Sequence, residues 1–101
     1  MIVLFKSKKL EANCSSIEKA KKAYGSIRAA KIFQRIQEIK SASSIEFLVV
    51  HKIGRCHALT QNRVGQYAMD LGHPYRLIFE AVIADNNEAV CVIEIVDYHG
   101  S

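Results

Sequence analysis

Three residues with side chains suited to proton transfer and phosphate contact stand together near the end of the chain: Asp97, Tyr98 and His99. Histidine moves protons near neutral pH, aspartate can orient an imidazole or accept a proton, and tyrosine can stack on a base or donate to a phosphate oxygen. Arg63 and Arg76 are the two basic residues of the otherwise acidic C-terminal part. A guanidinium suits phosphate because its planar donors reach two oxygens at once. These five residues could together cleave RNA without a metal.

Three of these residues also have a purely structural interpretation. Arg76 can pair with Asp70 across a hairpin, the Tyr98 ring can pack on the core, and His99 can be plain terminal sequence. For a nuclease, Asp97 and His99 are rival candidates for the general base. Spacing alone therefore leaves a nuclease site and an ordinary polar strand end both open.

The N-terminal half predicts a short strand and two helices. Residues 2–6 are rich in strand-forming Ile, Val, Leu and Phe. Ser15 and Glu18 form a capping-box pattern for a helix that ends at Gly25, and Ser26 is the expected cap of a second helix. One arc of that second helix is apolar, at Ala29, Ile32, Phe33, Ile36 and Ile39. One flank is basic, at Arg28, Lys31 and Arg35. The segment "SASSIEFLVVHKIG" fits either a short helical turn or an apolar loop.

After Cys56 the apolar period changes from that of a helix to that of a strand. Turns are expected at Gly72 to Pro74 and within "ADNNEA". They separate predicted strands at 66–71, 75–83 and 90–98. We therefore predict one α+β domain spanning residues 1–101: an N-terminal strand, two helices and a three- to four-stranded antiparallel meander. The helices should cover one face of the sheet and leave the other open.

Charge and cysteine content narrow the class of protein. Residues 1–62 hold twelve Lys/Arg against four Asp/Glu, a net of +8, whereas residues 63–101 have a net of −4. This asymmetry fits an anionic partner, and equally a set of well-solvated lysine-rich helices. No segment approaches the roughly 20 apolar residues of a membrane span, and no secretory signal is present, so we expect a soluble, cytoplasmic protein. Three widely spaced cysteines indicate reduced thiols rather than a zinc site.

The stretch "GRCHALTQNRVGQYAMDLGHPYRLIFE", followed by "VIEIVDYH", resembles the HigB-type toxins of the RelE/ParE superfamily, the toxin halves of bacterial type II toxin–antitoxin systems. "FKSKKLEANC" is similar to the family's first strand running into its first helix, and the helix containing "AAKIFQRIQEI" is also similar. The likeness thus covers most of the chain. Its specific motifs are His57-x-Leu59, Arg63-x-Gly65-Gln66-Tyr67, Tyr75-Arg76-Leu77-Ile78-Phe79 and Asp97-Tyr98-His99.

This resemblance implies a RelE-like α+β fold and a ribosome-dependent endoribonuclease that cuts mRNA in the A site without a metal or other cofactor. The implied catalytic residues are Arg63, Arg76, Asp97, Tyr98 and His99. The predicted RNA contacts are Arg28, Lys31, Arg35 and Arg55, since phosphate charge dominates RNA binding. The implied partners are the ribosome with its mRNA and a cognate antitoxin, often a helix-turn-helix protein. Operator DNA would be contacted only through that antitoxin, and no membrane is involved.

One position departs from the family's pattern. Several relatives have a lysine in the loop after the His-x-Leu stretch, where this chain has Thr60. Stabilisation of the phosphorane would then rest on Arg63 and Arg76, helped by Arg55. Two further functions stay open on this scaffold: a non-enzymatic, ParE-like gyrase inhibitor, and a catalytically weakened homologue that only binds an antitoxin.

Overall fold

The computed structural model describes residues 1–97, so the predicted site residues Tyr98 and His99 lie outside the described part of the chain. Five strands lie within it: β1 (Val3–Phe5), β2 (His57–Ala58), β3 (Gln66–Asp70), β4 (Tyr75–Ala84) and β5 (Asn87–Asp97). The helices are α1 (Lys8–Ser15), α2 (Ile17–Tyr24), α3 (Ser26–Ser41) and α4 (Ile45–Val50). Single 3-10 turns occur at Ile53–Arg55 and Gln61–Arg63. The predicted α+β fold class is confirmed.

All five strands form one sheet in the order β1-β5-β4-β3-β2. β2 to β5 make the predicted antiparallel meander, and β1 pairs in parallel with β5 at the edge. β4 and β5 extend further than expected because only Asp85 and Asn86 form the turn between them. Both have positive φ angles, 51° and 62°, as a two-residue type I′ hairpin requires.

The N-terminal helices differ from the sequence prediction in how they begin. The α2 cap is Ser16, whose hydroxyl accepts from the Lys19 N–H, whereas the predicted cap Ser15 donates to the Glu11 carbonyl at 2.6 Å and closes α1. Gly25, with φ of 85°, ends α2 and precedes α3, and Ser26 makes no capping bond. The Ser15 and Ser26 cap predictions were therefore wrong. α1 raises the number of helices above the predicted two, and α4 confirms the helical one of the two interpretations of residues 41–54.

The core lies between α3 and one face of the sheet. On α3, Ile32, Ile36 and Ile39 are buried as predicted, whereas Phe33 stays partly exposed. They join buried side chains from three strands: Met69, Leu77, Phe79, Val90 and Val92. None of the helices among residues 1–97 combines the length and the apolar character needed to cross a bilayer.

Two thiols are buried in this core and resist ionisation. Burial raises the pKa of Cys14 to about 11 and that of Cys56 to about 12, from an ordinary value of 9.0. Above pH 9 the unfolded chain loses these protons while the folded chain keeps them, so the free energy of unfolding must fall as pH rises. We expect a loss of roughly 1 kcal/mol per thiol between pH 9 and 10.

Urea unfolding at pH 8, 9 and 10 measures this loss. Lysines and tyrosines also titrate in this range, so a Cys14→Ala/Cys56→Ala variant serves as the control. It should show a shallower pH dependence than the native protein. Equal slopes for the two proteins would contradict the prediction.

Candidate functional site

The sheet face opposite the helices, called here the open face, carries two of the predicted catalytic residues, Arg63 and Arg76. Alternation along the strands and their register place these residues on it: Gln66, Ala68 and Asp70 of β3, Arg76, Ile78 and Glu80 of β4, and Glu94 and Val96 of β5. At the edge near β2 the open face borders a cavity of about 540 Å³. Its lining includes Lys52, Arg55, His57, Asp70 and Arg76. Three cations, an imidazole and a carboxylate thus meet in one open cavity.

Asp70 holds two of these cations. Arg76 lies directly opposite Asp70 in the sheet, and its Nε is 3.3 Å from Asp70 Oδ1. This confirms the predicted cross-strand pair. The Nε of Arg55 is 3.3 Å from the other carboxylate oxygen, Oδ2. The Arg55 side chain is 84% exposed, against 26% for Arg76. Asp70 therefore brings a loop guanidinium beside a strand guanidinium.

Arg35 was predicted to contact RNA, but the structure buries it and leaves only 8% of the residue exposed. That prediction is therefore wrong. The Nε of Arg35 donates to the Asp70 carbonyl at 2.6 Å and its Nη1 to Glu38 Oε1 at 2.8 Å. Gly54 packs against the same guanidinium, where an added Cβ would lie 2.6 Å from Nε. Arg35 thus binds protein groups on all these sides and connects α3 to the end of β3 and to the loop before β2.

His57 was noted in the sequence only as part of a motif, yet it lines the cavity. Its Nδ1 lies 2.8 Å from the Arg55 carbonyl oxygen. A carbonyl can only accept a hydrogen bond, so Nδ1 must carry the hydrogen. In the neutral imidazole this leaves Nε2 as the nitrogen that can take up a proton. The motif His57-x-Leu59 was the sequence signal from which the position of His57 in the cavity could have been predicted.

Arg63 lies on the open face but makes different contacts from Arg76. Its Nε donates to Gln66 Oε1 at 2.8 Å, and its Nη2 pairs with Glu94 Oε1. Glu94 is opposite Ile78 on β4, so the Arg63 side chain spans from β3 to β5 across that position. Ile78 is fully buried. The ion pair therefore covers the middle of the open face and fixes the segment between β2 and β3.

Asp97 ends β5 opposite Tyr75, one register position beyond the Val96–Arg76 pair. It is exposed at the same end of the sheet as Arg76. Because successive residues of a strand point to opposite faces, Asp97 and Arg76 leave the sheet on opposite sides. The approach of the Asp97-Tyr98-His99 triplet to Arg76 remains a prediction, since two of its residues lie outside the described chain.

The remaining predicted RNA contacts on α3 lie on the helix side of the sheet. The Arg28 guanidinium carbon is 4.5 Å from the centre of the Tyr75 ring, a cation–π contact. Its Nε is buried and has no hydrogen-bond partner among the described residues. Lys31 is partly exposed one turn further along. Arg28 and Lys31 are therefore separated from the open face by the sheet.

Other groups near the cavity can be assigned by their chemistry. Cys56 lines it, but burial raises the pKa of its thiol to about 12. The thiol stays protonated at neutral pH and is a poor nucleophile. Thr60 is exposed in the loop after β2. Within residues 1–97, His, Cys, Asp and Glu side chains do not gather in the groups of three that could hold a metal ion.

Comparison with known proteins shows the fold. The structure is similar to a "YoeB/ParE toxin from Agrobacterium tumefaciens", with a TM-score of 0.65 and 12% sequence identity over 98% of this chain and 100% of that one. It is also similar to a chain of a YoeB–YefM complex and to a chain of a YoeB dimer, both from Staphylococcus aureus, each with a TM-score of 0.62, 20% identity, and coverage of 98% of this chain and 97% of that one. No protein-family model and no curated protein sequence matches the chain. The chain therefore has the fold of YoeB toxins.

Proposed function

We propose that this protein is the toxin of a bacterial type II toxin–antitoxin system and cleaves mRNA in the ribosomal A site without a metal. One observation carries the proposal. Arg55 and Arg76 lie beside His57 in an open cavity, on a fold shared with YoeB toxins of very different sequence. Paired guanidiniums suit a phosphate, and an imidazole with an available nitrogen suits proton transfer.

The proposed reaction follows from these groups. The 2′-hydroxyl loses its proton and attacks the adjacent phosphorus, a new P–O bond forms, and the bond to the leaving 5′-oxygen breaks as that oxygen gains a proton. Arg76 and Arg55 stabilise the charge that develops on the phosphoryl oxygens. His57 joins His99 as a candidate general base, because its Nε2 can accept a proton. Asp97, the other predicted base, leaves the sheet on the side opposite Arg76 and is given no base role in this cavity. Tyr98 contributes through its hydroxyl or its ring.

Arg63 takes a supporting part in this proposal. Its bonds to Gln66 and Glu94 hold the loop that borders the open face. Among the predicted RNA contacts, Arg55 is the one that lines the cavity. Arg28 and Lys31 would reach ribosomal RNA from the helix side, together with the lysine-rich helices. Arg35 is left out because its burial removes it from any RNA.

The proposed partners are the ribosome with its mRNA and a cognate antitoxin of the helix-turn-helix class, through which alone operator DNA would be contacted. A YoeB–YefM complex from Staphylococcus aureus has the toxin fold found here, which supports an antitoxin partner. Within the superfamily, the closing Asp97-Tyr98-His99 motif favours the HigB type. A short reading frame encoding a helix-turn-helix protein beside this gene would support that assignment.

A second function is a ParE-like inhibitor that binds gyrase without cleaving nucleic acid. One similar structure is described as a "YoeB/ParE toxin", which supports a ParE-like function as the second candidate. A third is a catalytically weakened homologue that retains antitoxin binding, favoured by Thr60 in place of a lysine. Neither requires the arginine and imidazole groups to meet in one cavity, so both rank below the nuclease.

Expression in a bacterial host without an antitoxin separates the three functions. The nuclease should arrest translation and leave cuts in mRNA at fixed codon positions, detected by primer extension. Arg76→Ala combined with His99→Ala should abolish the cuts and restore growth. A DNA-damage response without cuts would indicate gyrase inhibition instead. Normal growth together with tight binding of the antitoxin would indicate the weakened homologue.

A further inference from the structure

Asp70 is an unexpected residue at the centre of a site that should bind phosphate. Its carboxylate lies between two guanidiniums, each held through Nε at 3.3 Å. A negative charge at this position repels an incoming phosphate and lowers the net charge of the cavity. A carboxylate that weakens substrate binding needs another role to account for its position.

The backbone of Asp70 is bonded to a buried arginine of α3. Its carbonyl accepts a hydrogen bond of 2.6 Å from the buried Arg35, which is itself held by Glu38 at 2.8 Å. Charge-assisted hydrogen bonds from a buried donor are strong and geometrically specific. The carboxylate of Asp70 therefore projects from an anchored position.

The loop that carries Arg55 rests on the same anchor. Gly54 directly precedes Arg55 and packs on the Arg35 guanidinium, so closely that a Cβ there would overlap Nε at 2.6 Å. Arg35 thereby sets the distance between the loop and the end of β3. The Arg55 side chain itself is 84% exposed, and a long exposed side chain samples many rotamers unless a partner restrains it. The partner shown by the structure is Asp70.

We infer that Asp70 is a positioning residue, which orients the guanidiniums of Arg55 and Arg76 toward one phosphate at the cost of weaker substrate binding. This inference rests on the proposed nuclease function and adds a role that the motifs do not contain. It predicts that RNA binding and RNA cleavage respond in opposite directions when the carboxylate charge is removed. A residue with a merely structural role would weaken both.

The test substitutes Asp70→Asn, which keeps the shape of the side chain and removes its charge. Binding of a short, uncleavable 2′-O-methyl RNA at low salt should tighten by about three- to tenfold, because one repulsive charge has gone. Cleavage of RNA already bound on the ribosome should slow by about ten- to a hundredfold, because the guanidiniums lose their common anchor. Weaker or unchanged binding, or unchanged cleavage, in a folded variant would overturn the inference.

Asp85→Asn is the matched control, since Asp85 is an exposed residue of the β4–β5 turn and undergoes the same chemical change. Both activities of this variant should stay within twofold of the native protein, as roughly expected for a surface change. Thermal unfolding of both variants checks that they fold.

A third measurement separates failure of this inference from failure of the proposed function. In ¹⁵N spectra, the Nε–Hε signals of Arg55 and Arg76 report whether each guanidinium is held. Both should exchange faster with water in Asp70→Asn than in the native protein. If the native protein cleaves no RNA, the nuclease proposal fails, and these signals still decide whether Asp70 holds the two arginines. Unchanged exchange would overturn the positioning role.

Discussion

Arg76→Ala is expected to slow mRNA cleavage on programmed ribosomes by about two to three orders of magnitude, the usual effect of removing a preorganised group that stabilises transition-state charge. Arg76 is the cavity's cation with the most restrained position. It comes from the centre of the sheet, its side chain is only 26% exposed, and Asp70 pairs with it across the hairpin. Its removal also takes away one of the two arginines that pair with the Asp70 carboxylate, so that negative charge is less balanced in the proposed site.

Single-turnover cleavage rates are the appropriate measurement, because they exclude effects on product release. Arg76→Lys is the informative control. It keeps the positive charge but replaces the planar fork with a point charge, so it should recover only part of the rate. Full activity of Arg76→Lys would mean that charge alone matters. Cleavage by a folded Arg76→Ala variant within threefold of the native rate would show that this cavity is not the site.

Among the substitutions proposed here, Arg35→Ala should destabilise the protein most, by about 3 kcal/mol in the free energy of unfolding. Removing one partner of a buried ion pair leaves the other charge without compensation, which lowers the free energy of unfolding by about 3–5 kcal/mol. The low end applies because the Glu38 side chain is 27% exposed and water can reach it. For a domain of this size the melting temperature should fall by on the order of 15 °C. Lys31→Ala, on the same helix and partly exposed, should change stability by less than about 0.5 kcal/mol.

A double-mutant cycle with Gly54→Ala tests the packing that this prediction assumes. Gly54 has a φ of 56°, a left-handed backbone conformation in which alanine is strained by about 1–2 kcal/mol. This backbone strain does not depend on whether Arg35 is present. The native Arg35 adds a steric overlap, and moving its side chain to relieve that overlap strains its hydrogen bonds to Asp70 and Glu38. In the Arg35→Ala background the overlap is gone and the strain remains. The two substitutions should therefore cost less together than the sum of their separate effects, by at least about 1 kcal/mol. If the two losses in the free energy of unfolding, measured in urea, simply add, then Gly54 and Arg35 make no steric contact that matters for stability.

The sequence was sufficient for features that depend on local chemistry. Alternating apolar residues predicted β3 and β4, the Gly72 to Pro74 turn separated them, and the Asp70–Arg76 pair followed from that hairpin. The period of α3 predicted its buried isoleucines. Helix starts were less certain, because Ser15 and Ser16 are equally good caps by type and only the path of α1 into α2 selects Ser16.

Tertiary structure alone decided which charged residues share a site. Arg28, Lys31 and Arg35 look alike in sequence, but the packing of α3 buries Arg35, stacks Arg28 on Tyr75 and leaves Lys31 partly exposed. Arg55 and His57 line one cavity with Asp70 and Arg76 because β2 pairs with β3 and the preceding loop lies on Arg35. Helical and strand periods specify which face a residue occupies on its own element. They do not specify which elements meet, and the cavity is formed where elements meet.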